Sequence, residues 1–436
     1  MIYDKRRAYR PTGRERSRQV RVYLDNNASM PIMPEALSAV NRAYEGGLGN
    51  PSSPHRDGRH ARASLAQARQ AVMTHTNMRD GSLMFTSGAT ESNNMALRLC
   101  HWEHIIMSEA EHDSLWVGAH ALHRAGRSKL HIVPVGRDGR MRLSHVQDMA
   151  EHIGLCADSS PSILLVLTWG HNESGVMYEQ DMLEDYMAWA EQHAIAMHID
   201  GAQMLGRMAL DIDGMAHGAH GAGKGCFSLS LSSHKMGGPH GVGVFYLFGG
   251  GWSGIEATPY PLLFGGGQEG GLRGGSENVP AIVGFAAAVK RATQNVEEQV
   301  ARWHTWRRQW EDGVKALGAT FHRPVKIIHD DVLRLPNTTA CALSSYRAET
   351  LVIGLDQHGV SVSRGSACSV AQGKPSRFLR AIGQGEAIDS VIRISFGWQT
   401  RASDVAHALV ALEDVLGTIE QASPHKVSPH KVLRGA

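Results

Sequence analysis

Between residues 82 and 206 the chain repeats one pattern, a short apolar run, a polar turn and then helical spacing. It is carried by "SLMFTSGATESNNMALRL", "HIIMSEAEHDSLW", "SILLVLTWGHNESG" and "IAMHIDGAQMLG". Runs this short and continuously apolar are buried on both faces, and their alternation with helices predicts an α/β fold around a mainly parallel sheet. A further stretch, "SLSLSSHKMGGPHGVGVFY" from Ser228 to Tyr246, reads as two strands with His234 and Lys235 at the junction.

At 436 residues, with 42% hydrophobic and 20% charged, the chain is long for one core, and two domains are expected. Past about Ala287 the texture changes. "AAVKRATQNVEEQVARWHTWRRQWEDGVKAL" reads as one long helical stretch containing the hinge. "NTTACALSS", "GVSVSRGSACS" and "SVIRISFG" follow as strands of a smaller α+β unit. The expected division is a flexible basic tail (1–21), an N-terminal arm (22–36), a large domain (37–296), a small domain with a cysteine loop (297–420) and a low-complexity tail (421–436) in which SPHKV occurs twice.

A formal net charge of +2 gives no ground for nucleic acid as a partner. No apolar run approaches the roughly 20 residues of a membrane span, and the first residues lack the apolar segment of a signal peptide, so a cytoplasmic location away from membranes is expected. Five widely spaced cysteines without a CxxC pair suggest neither disulfides nor zinc. The 25 histidines are scattered without an HExxH, and no metal site is expected.

Ligands of open α/β sheets bind at the carboxyl ends of the strands, so the polar residues just after each apolar run are the candidates. Gly88, Ala89 and Thr90 open a helix whose free N–H groups suit a phosphate, although an ordinary capped turn reads equally well from this stretch alone. Asp200 closes "IAMHID", where a carboxylate needs a cationic partner, either a protonated pyridine nitrogen or an arginine elsewhere. His112 follows another run and could stack on a flat ring or be an ordinary satisfied polar residue. Desolvation at the junction of two buried strands would make Lys235 nucleophilic toward an aldehyde, and Ser232 and His234 beside it can donate to a phosphate. Lys235 is thus placed for pyridoxal phosphate. Among the cysteines, Cys341 lies in an apolar strand pattern, whereas Cys368 is flanked by small residues that suit an accessible thiol.

Taken in order, "YLDNNAS", "GNPSSPH", "TSGATESNN", "EAEHDSL", "HNESGV", "HIDGAQ", "SSHKMGGPHGVG", "GGGQEGGLRGGSEN", "SRGSACS" and "IRISFG" resemble the motif series of the NifS/IscS-type cysteine desulfurases. That group lies within the class V aminotransferase branch of the fold-type I pyridoxal-phosphate enzymes. The resemblance runs from about Val22 to about Gly417. It implies a large domain with a mainly parallel seven-stranded sheet, a smaller α+β domain and a homodimer. It further implies Lys235 as the Schiff-base lysine, Asp200 as partner of the ring nitrogen, His112 as the ring-stacking catalytic residue, and Gln203 and Asn172 near the cofactor's phenolic oxygen. Ala89, Thr90, Ser232 and His234 would hold the phosphate, joined by Ser276 from a second subunit. Arg393, Asn172 and Asn27 would bind substrate, and Cys368 would take up sulfur.

The implied reaction converts L-cysteine to L-alanine and leaves a persulfide. Its sulfur would pass to an iron–sulfur scaffold, a SufE-like protein or tRNA or cofactor thiolation proteins. Iron–sulfur chemistry would thus concern the acceptor. Four positions depart from the usual motifs: His171, Ser233, Gly270 and Arg364. Arg364 is expected to favour a Cys368 thiolate. A selenocysteine lyase, another class V reaction, or a non-catalytic scaffold of the same fold are the competing readings; the cysteine loop argues against a transaminase.

Overall fold

The computed structural model describes residues 21–154, 162–217, 227–248, 260–365 and 375–422. Cys156, Cys226, Cys368 and residues 1–20 and 423–436 therefore lie outside the described residues.

The elements run β1 (Val22–Tyr23), α1 (Pro34–Glu45), α2 (Arg56–His75), β2 (Gly81–Thr86), α3 (Ala89–Arg98), β3 (His104–Ser108), α4 (Asp113–Arg124), β4 (Lys129–Val133) and α5 (Leu143–His152). Then follow β5 (Ile163–Thr168), α6 (Gln180–Gln192), β6 (Ala196–Asp200), α7 (Ile212–His217), β7 (Phe227–Ser232), β8 (Gly243–Phe248) and α8 (Val279–Gln294). The remainder comprises α9 (Val296–Thr320), β9 (Val325–Ile327), β10 (Thr338–Leu343), α10 (Ala348–Gln357), β11 (Val360–Ser361), β12 (Ser363–Arg364), α11 (Arg377–Ala381), β13 (Val391–Ser395) and α12 (Ala402–Ala422).

The large sheet has seven strands in the order β2-β8-β7-β6-β5-β3-β4. All its pairs are parallel except those made by β8, which runs antiparallel to both neighbours. Successive residues of β5 fall into different cores: Ile163, Leu165 and Leu167 into one cluster, Leu164 and Val166 into another. That period of two buries the sheet on both faces, which is why its strands read as continuous apolar runs.

A four-stranded antiparallel sheet, β12-β13-β10-β9, forms the second core with α9, α10 and α12. The long helical stretch after Ala287 is two helices. Asn295, at φ −135° and ψ 37°, breaks it, with α8 packing on α1 and α2, and α9 turning Trp303, Trp306 and Trp310 into the second core. The start of the chain joins that core as well: β1 pairs in parallel with β11, and Val22 and Leu24 are buried there. Among the described residues no helix is long and apolar enough to cross a membrane.

Candidate active site

Parallel strands bring Thr86, Ser108, Thr168, Asp200 and Ser232 to one end of the large sheet. Because β8 runs the other way, its first residue, Gly243, lies between Thr86 and Ser232 at that same end. A Cβ on Gly243 would stand 2.5 Å from the Gly88 Cα, so only glycine lets β8 approach the start of α3. Gly88 caps α3 at φ 152°, with nothing within 4 Å of where its Cβ would be. The N–H groups of the first turn, Ala89 and Thr90 among them, lie beyond the reach of intrahelical carbonyls at this open corner. Glu91 steadies the turn, accepting from the Ser87 N–H at 2.7 Å and pairing with Arg273 at 2.8 Å.

Asp200 is 3% exposed. Its Oδ1 accepts from the Ala202 N–H and the Ser230 hydroxyl, and its Oδ2 from the Asn93 amide at 2.8 Å. Neutral donors thus hold it. His112 caps α4: its Nδ1 accepts from the Ser114 N–H and lies 2.8 Å from Ser114 Oγ. Burial pushes the His112 imidazole below its usual range, opposed by the Asp200 charge and aided by that of Lys235. The neutral ring is therefore within the electrostatic reach of both.

Lys235 ends a short 3-10 turn after β7, and its Nζ donates to the carbonyls of Asn27 (2.8 Å) and Ala28 (2.9 Å). Gln203 donates to the same Asn27 carbonyl. His234 Nδ1 lies 3.2 Å from Ser29 Oγ, and the ring stacks on His240. Ser232 is buried at the end of β7, and Ser276 is exposed on the segment that carries Arg273.

Where the two sheets meet, polar groups of both converge. Arg393, fully buried in β13, donates to Asp25 Oδ1 at 2.6 Å and to the carbonyls of Asn172 and Gly365. The Asn27 amide donates to the Asn172 carbonyl and to Thr338, which commits a residue expected to meet substrate to joining the modules. Gly365 and Ser376 flank the segment containing Cys368. Ser376 donates to Glu173 Oε2 at 2.7 Å, and a Cβ on Gly365 would lie 3.4 Å from the same oxygen. Burial raises the Glu173 carboxyl to about 7.

Motif reading passed over several of these groups. Asp25 lies within a quoted motif but carried no role. Arg207 is buried, donating to the Gln203 and Lys235 carbonyls, and pairs with no carboxylate among the described residues. Glu269, beside the departure at Gly270, forms a paired contact with Arg69 at 2.8 and 2.9 Å and accepts from the Phe85 N–H. Gly270 and Gly271 follow at φ 68° and 83°, left-handed positions that suit glycine. His171 packs face to face on Phe378 at 3.6 Å, and its Nε2 faces the Ala110 carbonyl. Arg364 pairs with Glu349 at 3.9 Å.

The Aminotransferase class-V family matches residues 22–407. The chain belongs to that family. It is 30% identical over 419 residues to the cysteine desulfurase IscS of Dictyoglomus turgidum, covering 93% of this chain and 97% of that one. It is 32% identical over 413 residues to a cysteine desulfurase of Cereibacter sphaeroides, covering 93% and 98%. The structure of a NifS-like protein from Rickettsia africae superposes with a TM-score of 0.75 at 27% identity, covering 91% and 99%.

The family's cofactor, pyridoxal phosphate, fits the residues present. The open corner at Gly88 offers backbone donors for a phosphate, Asp200 offers a buried anion, and Lys235 supplies a primary amine. Burial raises both described thiols, Cys100 to about 11 and Cys341 to about 12, which disfavours their thiolates.

Proposed function

We propose that this class-V family member is a cysteine desulfurase that takes L-cysteine to L-alanine and carries the released sulfur as a persulfide on Cys368. The observation that carries the reading is the strand-end floor: a buried Asp200 at a strand end and a neutral His112 that feels the charges of both Asp200 and Lys235, beside an open helix start. Names and lengths of the relatives support the same activity.

Pyridoxal phosphate, when bound, supplies the electron sink that makes the α-hydrogen of an amino acid acidic. The chain does the rest. Ala89, Thr90 and Ser232 would hold the phosphate, Asp200 would keep a negative charge at the ring nitrogen, and His112 would cover the ring. Arg393 and Asn172 orient the substrate carboxylate. The Lys235 amine takes the α-proton and later returns a proton to carbon, and neutral His112 handles the proton of the substrate thiol.

The Cys368 thiolate then attacks the substrate sulfur. An S–S bond forms and the Cβ–S bond breaks, its electron pair going to the carbon skeleton, which is protonated to alanine. One thiol is oxidised to a persulfide as Cβ is reduced, so the exchange balances without an added oxidant. Ser276, exposed on the single chain, completes the phosphate site of a second copy in a homodimer. The persulfide sulfur passes to an acceptor protein.

Cys368→Ser tests the assignment. The variant is expected to retain the visible band of bound cofactor and α-proton exchange from cysteine, yet to form no alkylation-trapped persulfide and release alanine at least about 100-fold more slowly. A persulfide mapped to Cys341, or alanine released at the wild-type rate, would refute it.

A further inference from the structure

Asn93 lies fully buried in α3 and meets three polar side chains at once. Its Nδ2 donates to Asp200 Oδ2 and to Ser114 Oγ, both at 2.8 Å, while its Oδ1 lies 2.9 Å from His198 Nε2. His198 is also fully buried, two residues before Asp200 on β6, with Nδ1 2.8 Å from Ser228 Oγ. Ser114 Oγ in turn lies 2.8 Å from His112 Nδ1.

With both rings neutral, one arrangement of protons satisfies this network. Both amide hydrogens are spent, one on an anion, so Oδ1 must accept, and His198 must carry its proton on Nε2. Nδ1 of the neutral ring then accepts from Ser228. On the other branch, Ser114 receives the amide hydrogen and gives its own to His112 Nδ1, which leaves the His112 proton on Nε2. Turning the amide over would set its oxygen against the Asp200 carboxylate.

We infer that Asn93 is a positioning residue whose single amide orientation fixes the tautomer of His198 and the direction of the Asp200 carboxylate and, through Ser114, reinforces the His112 tautomer that the Ser114 N–H also selects. Its use in catalysis rests on the pyridoxal phosphate reading; the tautomers do not. His112 presents Nε2–H as a donor on the cofactor side, and His198, held neutral, leaves the negative charge of Asp200 undiminished. Burial keeps His198 uncharged, with a value lowered to about 4.

Nitrogen NMR of the full chain without cofactor, with peaks assigned through His112→Gln and His198→Gln, reads the tautomers directly. Both rings are expected as Nε2–H in the wild type, and His198, whose Nε2–H loses its acceptor, is expected to lose that preference in Asn93→Ala. In the loaded enzyme, Asn93→Ala should weaken retention of pyridoxal phosphate and slow α-proton exchange about 10- to 100-fold, the scale of a lost hydrogen bond to a charged group. His198→Leu should reproduce much of the loss, and His198→Gln, which keeps a donor at the same place, should restore most of it. A wild-type His112 protonated on Nδ1 would overturn the inference. So would a folded Asn93→Ala with wild-type tautomers, or one with retention and exchange within twofold of wild type. A wild-type protein that takes up no pyridoxal phosphate would instead sink the cofactor reading and leave the tautomer result standing.

Discussion

The strand-end floor and the junction between the two sheets are both buried and polar, but they are held in different ways. On the floor, Asp200, Asn93, His198, Ser114 and His112 come from β6, from α3 and from the start of α4, elements of one sheet and its covering helices, and neutral amides and hydroxyls satisfy the one carboxylate. At the junction, Asp25, Asn27, Asn172, Thr338 and Arg393 come from the N-terminal arm, the turn after β5 and the second module, and an ion pair sits at the centre. Rigid elements with satisfied partners preorganise charge where a cofactor's electronics must be controlled. Segments from two modules, joined through side chains, can exchange partners. A substrate carboxylate bound as proposed would have to share Arg393 with Asp25.

The sharpest way to break this comparison is to strike each region and read both the bound cofactor and the substrate. Lys235→Ala should abolish covalent retention of pyridoxal phosphate and its visible band, and lower alanine formation by about 1,000-fold or more, the upper range for a lost proton-transfer group. A retained covalent band would show that another amine serves. Arg393→Lys keeps a charge but loses the planar fork that spans Asp25 and two carbonyls. Its band should stay unchanged while KM for cysteine rises about 10- to 100-fold, as for a lost charged hydrogen bond. A shifted band with an unchanged KM would mean that the two regions are not separable.

The smallest effect concerns Glu173, beside the residues that flank the Cys368 segment. Its carboxyl holds a proton up to about pH 7 in the folded chain, because burial disfavours the anion, and releases it near 4.5 when unfolded. Stability from this group is therefore lost as pH rises between those values. Glu173→Gln should change stability little at pH 5 and raise it relative to wild type at pH 8, by at most about 3 kcal/mol. Urea midpoints at the two pH values measure this. An equal difference at both would show that the carboxyl is ionised throughout.

The apolar alternation by itself determined the α/β class, the strand ends and the separate second unit, because burial on one or two faces writes a local period into the chain. Polar residues directly following those runs, Asp200, His112 and Lys235, could be collected before any coordinates, since strand direction carries them to one end of the sheet. Local patterns have no such hold on which distant groups meet. Asn93 reads as one more buried position on α3, Asp25 as part of an arm, and Asn295 as an ordinary helix residue. The departure of β1 to the second core left no local mark either. Hydrogen-bond partners 100 to 370 residues apart are chosen only when the sheets close and every buried donor must find an acceptor, and tertiary structure alone decides that.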